Sequence, residues 1–135
     1  MRHWLPVVLL AGFLTTFATT APAQERRWGS YAPDRVSALI DRVHEDLNRG
    51  YGSGWHFNKH DRNRLNDAEH ELRDFAERWG RGKFDKGELD DAIASIQHVV
   101  NNNHMSGRER DELWRDLGAL RRMREAYDRH EIGRY

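Results

Sequence analysis

From Phe84 to Tyr127 the chain reads FDKGELDDAIASIQHVVNNNHMSGRERDELWRDLGALRRMREAY, and its apolar residues recur with a helical period. Leu89, Ala92, Ile93, Ile96, Val99 and Val100 form one stripe. Leu113, Leu117, Leu120 and Tyr127 form a second, which Trp114 and Met123 widen. A repeat of about 3.6 residues gathers each set on one helix face, whereas a strand would require strict alternation. Start signals fall at the right places. Asp85 and Glu88 make a D-x-x-E capping box, with Phe84 and Leu89 set as its hydrophobic staple, and Ser106 and Glu109 make an S-x-x-E box. Such boxes satisfy N–H groups that have no partner inside the helix. Asn101, Asn102 and Asn103 end the first helix, with asparagine expected in the left-handed conformation. So short a connection makes the two helices antiparallel neighbours.

The preceding residues carry a similar pattern. Pro33 and Asp34 open a helix whose stripe is Val36, Leu39, Ile40, Val43 and Leu47, and Gly50 is expected to end it. A loop, GYGSGWHFNKH, runs from Gly50 to His60. Leu65, Ala68, Leu72, Phe75, Ala76 and Trp79 then share one face of a second helix, and Gly80 and Gly82 break the chain. Val36, Leu39, Ile40, Val43 and Leu47 superpose in register on Leu89, Ala92, Ile93, Ile96 and Val100. Duplication of a hairpin and the general likeness of amphipathic helix pairs both account for that match. Either way the chain predicts an all-α fold: an antiparallel four-helix bundle of two helical hairpins, with helices at about 34–49, 59–79, 86–102 and 107–129. The expected core is Val36, Leu39, Ile40, Val43, Leu47, Leu65, Leu72, Phe75, Trp79, Leu89, Ile93, Ile96, Val100, Leu113, Leu117 and Leu120. Ile93→Asp is expected to bury an unpaired charge and destabilise strongly.

The N-terminus is of another kind. Arg2 precedes a short apolar run from Leu5 to Phe17, and Ala21-Pro22-Ala23 has the A-x-A form of a cleavage site. Residues 1–23 therefore read as a signal peptide, 24–33 as a polar lead-in, 34–130 as the helical domain and 131–135 as a tail. The apolar run is shorter than the roughly 20 residues of a membrane span. The expectation is a periplasmic or secreted protein with no stable membrane anchor after cleavage. It contains no cysteine, so packing or a partner must hold it together. Its 22 basic and 22 acidic residues cancel, which argues against nucleic acid as a partner.

Candidate chemistry concentrates in the Gly50–His60 loop. Tyr51, Trp55 and Phe57 alternate with glycines there and could form a binding lip, or else fold inward as a plug. His56 and His60 are the candidate metal ligands, with His44 or His70 completing the set from the flanking helices. His70-Glu71-Leu72-Arg73-Asp74 has aspartate where a zinc protease needs its second histidine. Asn58–Glu69 puts His60, Arg62 and Arg64 at calcium-ligand positions, so neither motif holds. The arginines of the last helix, among them Arg108, Arg115 and Arg122, read as a solvated face laced with pairs such as Asp111–Arg115 and Glu125–Arg129. Carboxylates read as surface charges or caps. No nucleophile–base pattern or phosphate loop is present, so the chain reads as a non-enzyme that needs no cofactor.

Met105 to Tyr127, MSGRERDELWRDLGALRRMREAY, resembles the helix-opening segments of Spy/CpxP-type periplasmic proteins, in which L-T-x-x-Q precedes a charged amphipathic helix. Met105, Ser106 and Glu109 occupy the matching positions, and only the capping hydroxyl is kept in kind. The resemblance spans about a fifth of the chain after the signal peptide, and the whole also looks like other small exported α-helical bacterial proteins. It implies a periplasmic, chaperone-like module whose partner is another protein or an unfolded client. The alternative expectation is a small-ligand or metal-binding protein that uses the Gly50–His60 loop.

Overall fold

Each of the four stripes lies on a helix. The computed structural model describes residues 33–52 and 58–132. Its helices are α1 Pro33–Gly52, α2 Lys59–Gly80, α3 Lys86–Asn102 and α4 Gly107–Asp128. The segment read as a signal peptide, 1–23, and the lead-in as far as residue 32 lie outside the described residues, while Pro33 opens α1. The helices pack in a ring: α1 on α2, α2 on α3, α3 on α4, and α4 back on α1. Ion pairs across the seams fix the directions. Arg42 and Arg49, late in α1, reach Asp116 at 2.8 Å and Glu112 at 3.0 Å, early in α4. Lys86 at the start of α3 meets Asp128 at the end of α4 at 2.7 Å. All neighbours are therefore antiparallel, as short connections demand.

The stripes meet in one core. Val36, Val43, Leu47, Phe75, Leu89, Ile96, Val100, Leu117 and Leu120 have no exposed surface. Ala68, Ala92, Val99, Met123 and Ala126 are equally buried, and the small residues among them let the helices approach closely. Leu39 and Ile93 are only partly buried and flank the core. One end of the bundle is closed by rings. Phe84 stacks on Tyr127 with centroids 4.3 Å apart, and meets Phe75 and Trp79 edge-on at 5.4 and 6.2 Å.

Helix ends depart from expectation in instructive ways. Ser106 and Glu109 form the complete box, with bonds of 3.2 and 3.0 Å. Asp85 accepts from the Glu88 N–H, but the Glu88 side chain turns to Arg78 instead of closing the second box. α1 runs through Gly50 to Gly52. Asn103 is extended, at φ −84° and ψ 147°, and not left-handed, because its side chain is engaged elsewhere (below). Gly82 at φ 79° supplies the left-handed residue after α2, where the Lys83 N–H returns to the Arg78 carbonyl at 3.0 Å. After α4 the chain does not fray. His130 takes φ 61°, the Glu131 N–H bonds the Ala126 carbonyl, and Ile132, in the segment read as a tail, is buried.

Trp114 corrects the sequence reading most plainly. It does not widen the α4 stripe; it is 41% exposed. It follows Leu113 by one residue, which turns it about 100° round the helix and off the core face. The burial pattern orders α3 in the same way. Ile96→Ala should cost about 2–5 kcal/mol in chemical denaturation, and Ile93→Ala should cost less. Equal losses would mean that α3 is rotated from the face described, and Ile93→Asp likewise places its charge nearer water than the sequence suggested.

Candidate functional site

Acidic residues inside the stripes build the sites of this fold. Asp46 precedes Leu47, Asp61 lies one turn before Leu65, Glu69 lies between Ala68 and Leu72, and Asp116 lies between Leu113 and Leu117. Helical spacing carries all four inward, and all four are buried. The expectation that every carboxylate is a surface charge or a cap fails for these residues. Their position at three- and four-residue intervals from stripe members was the available signal.

They differ in how far they are satisfied. Asp61 accepts from Arg64 at 2.6 Å, and its other oxygen lies 3.0 Å from His104 Nδ1. Its own carbonyl accepts from the Asn103 amide at 3.0 Å, and Asn103 in turn accepts from Arg64 at 2.6 Å. Arg110 adds bonds to the Val100 and Asn103 carbonyls. This network ties the start of α2 to the α3–α4 turn. Burial opposes ionisation of Asp61, but the bonds from His104 and Arg64 outweigh it and hold the carboxyl below its ordinary range. Glu69 is half-satisfied: His44 Nδ1 lies 2.6 Å from Oε2, while Oε1 is buried with no partner. Burial pushes Glu69 up against the pull of His44.

Asp116 is the extreme case. Arg42 donates to Oδ1 at 2.8 Å, and Oδ2 is buried with no partner. Burial first, and then the Asp46 carboxyl beside it, push Asp116 up to about 6. Two carboxylates at such range cannot both ionise cheaply, and a proton held between them would fill the orphan oxygen. Arg49 bridges Asp46 and Glu112, each at 3.0 Å. These groups floor an open cleft of about 560 Å³ between α1 and α4, walled by Arg115 and Arg122 and bordered by Trp114, Gly118 and Ala119. Gly118 keeps the floor low, since a Cβ there would come within 3.3 Å of the Arg122 guanidinium. Trp114 is the only large apolar side chain exposed among the described residues.

The residues singled out in the sequence lie elsewhere. Trp55, His56 and Phe57 lie outside the described residues, and Tyr51 falls in the last turn of α1. His60 is exposed in the first turn of α2. The His56/His60 pair is thus not placed. His44 and His70 do line one groove of about 430 Å³ between α1 and α2, together with Glu69 and Arg73. Among the described residues, the only three His or acidic side chains with ligand atoms within 4.8 Å of one another are Glu71, Glu88 and Asp91, none of them histidine. Of the arginine pairs, Glu125–Arg129 forms at 4.0 Å, while Arg115 bonds the Asp111 carbonyl and not its carboxylate. No described helix is long and apolar enough to cross a membrane. Comparisons with protein-family models, curated proteins and solved structures find no match for this chain.

A carboxyl raised on folding holds its proton more tightly in the native state. Its contribution is full below the unfolded value near 3.8 and is lost as pH rises through about 6. The melting temperature of the wild type should therefore fall relative to Asp116→Asn between pH 5 and pH 7.5. Parallel curves would show that Asp116 does not titrate in this range.

Proposed function

We propose that this chain is a non-enzymatic exported interaction module of chaperone-like action, whose partner surface is the α1/α4 cleft. The observation that carries the reading is Trp114, an exposed indole beside a cleft walled by arginine. A tryptophan left in water costs burial energy that the core offers elsewhere, and Trp and Arg are the residues that dominate protein interfaces. The apolar faces of the four helices are used up in the core, so this cleft, and not an open apolar groove, is the surface fit to receive a protein segment.

Charge narrows the partner. Four guanidiniums of the cleft, those of Arg42, Arg49, Arg115 and Arg122, stand against the three carboxylates of Asp46, Glu112 and Asp116. Arg42 and Arg49 are taken by those acids. Arg115 and Arg122 have no carboxylate at ion-pair distance among the described residues. The partner that fits is an acidic protein segment with an apolar side chain to lay on Trp114.

Suppression of aggregation of an acidic client at equimolar ratio is the expected behaviour, lost in Trp114→Ala. That variant should keep the wild-type melting temperature, because an exposed side chain changes stability by no more than about 0.5 kcal/mol. A wild type that leaves aggregation untouched, or a variant that suppresses it equally well, would remove the proposal.

A further inference from the structure

We infer that the α1/α4 cleft takes up the carboxylate of an acidic protein segment together with one proton, which the Asp46–Asp116 pair holds. The inference rests on the reading of this cleft as the interaction surface and adds what governs its occupancy.

Asp116 lines the cleft, and its Oδ2 is buried behind that lining with no partner. A deprotonated oxygen there would repel an incoming carboxylate, while a protonated pair offers it no negative charge. Arg42 and Arg49 face the pair from α1, and Glu109, Glu112, Arg115 and Arg122 face it from α4. Among the described residues, α2 lines this region with Leu65, and the α3–α4 turn with Asn103 and Met105. Glu109 is held by its cap, with its carboxylate on the Ser106 N–H at 3.0 Å. Glu112 is held by Arg49 at 3.0 Å and Arg108 at 3.1 Å, and the Arg108 contact, first among its causes, keeps it ionised. Asp116, crowded by Asp46, is therefore the group in the cleft that changes charge near pH 6. With every carboxylate ionised the cleft has a surplus of one positive charge; with the pair protonated the surplus is two. A bound anion favours the second state, and linkage requires that protonation in turn favour the anion.

The direction follows. Affinity for a carboxylate is highest below about pH 6 and falls as the pair loses its proton. One linked proton limits the fall to about tenfold per pH unit.

Fluorescence anisotropy of a labelled synthetic peptide of Asp and Leu tests this, because its side chains stay ionised at pH 5. The purified protein should bind it up to about thirtyfold more tightly at pH 5 than at pH 7.5, the extent that one linked proton released near pH 6 allows. The counterpart peptide of Asn and Leu should bind weakly at both. Asp116→Asn keeps the pair from carrying two charges at either pH, so its affinity should stay near the wild-type pH 5 level throughout. Asp46→Asn likewise keeps the pair from carrying two charges and should raise the affinity at pH 7.5 above the wild type, which serves if the first variant fails to melt cooperatively. A wild type with equal affinity at both pH values overturns the proton linkage and leaves the interaction surface standing. Full pH dependence retained in Asp116→Asn does the same, since it would place the titrating group outside the pair. Equal binding of the Asn–Leu peptide overturns carboxylate recognition, and no binding of the Asp–Leu peptide at either pH removes the interaction reading with it.

Discussion

Burial of four narrow apolar stripes against one another is the constraint on which everything else in this molecule depends. A third of the residues are charged and no cysteine is present, so no covalent tie assists the fold. Each helix has just enough apolar surface to occupy two neighbours in the ring. The interior accordingly uses alanine as well as leucine, and the rings of Phe75, Trp79, Phe84 and Tyr127 close one end. The many surface ion pairs set direction and register, but each contributes little to stability by itself.

Against that background the buried acids form a graded series. Asp61 is satisfied on both oxygens, and its network works as a staple between α2 and the α3–α4 turn. Glu69 is satisfied on one oxygen. Asp116 is satisfied on one oxygen and also crowded by Asp46, so its environment favours the proton. Natural chains tolerate a poorly satisfied polar group where it serves a function, and this one lies in the cleft that the single exposed tryptophan of the described residues borders. Its position and its unmet bonding point to the same cleft.

The helices, their order and most of the core were legible from the sequence, because a 3.6-residue pattern survives any packing partner. Ser106 and Glu109 announced their cap through local chemistry alone. Asn103 did not, since its extended backbone follows from a bond to Asp61 in a distant helix. The cleft was hidden for a related reason. The spacing of Asp46 and Asp116 from their stripes shows each turning inward, but their effect on one another exists only across the α1/α4 seam. Trp114 was read as widening the α4 stripe beside Leu113, although one residue of helix rotates a side chain from the interior to water. The Gly50–His60 loop drew attention through composition, which says what residues could do and nothing of where they point.

Closure of the ring by α4 on α1 joins the first and last helices of the described chain. While α4 is still inside the ribosome, the stripes of α1 and α3 each lack one of their two neighbours, and Phe84 lacks the Tyr127 ring that covers it. The interior of such a ring is therefore complete only when its last helix is in place, so a chain cut short before α4 would leave apolar stripes of both α1 and α3 facing water.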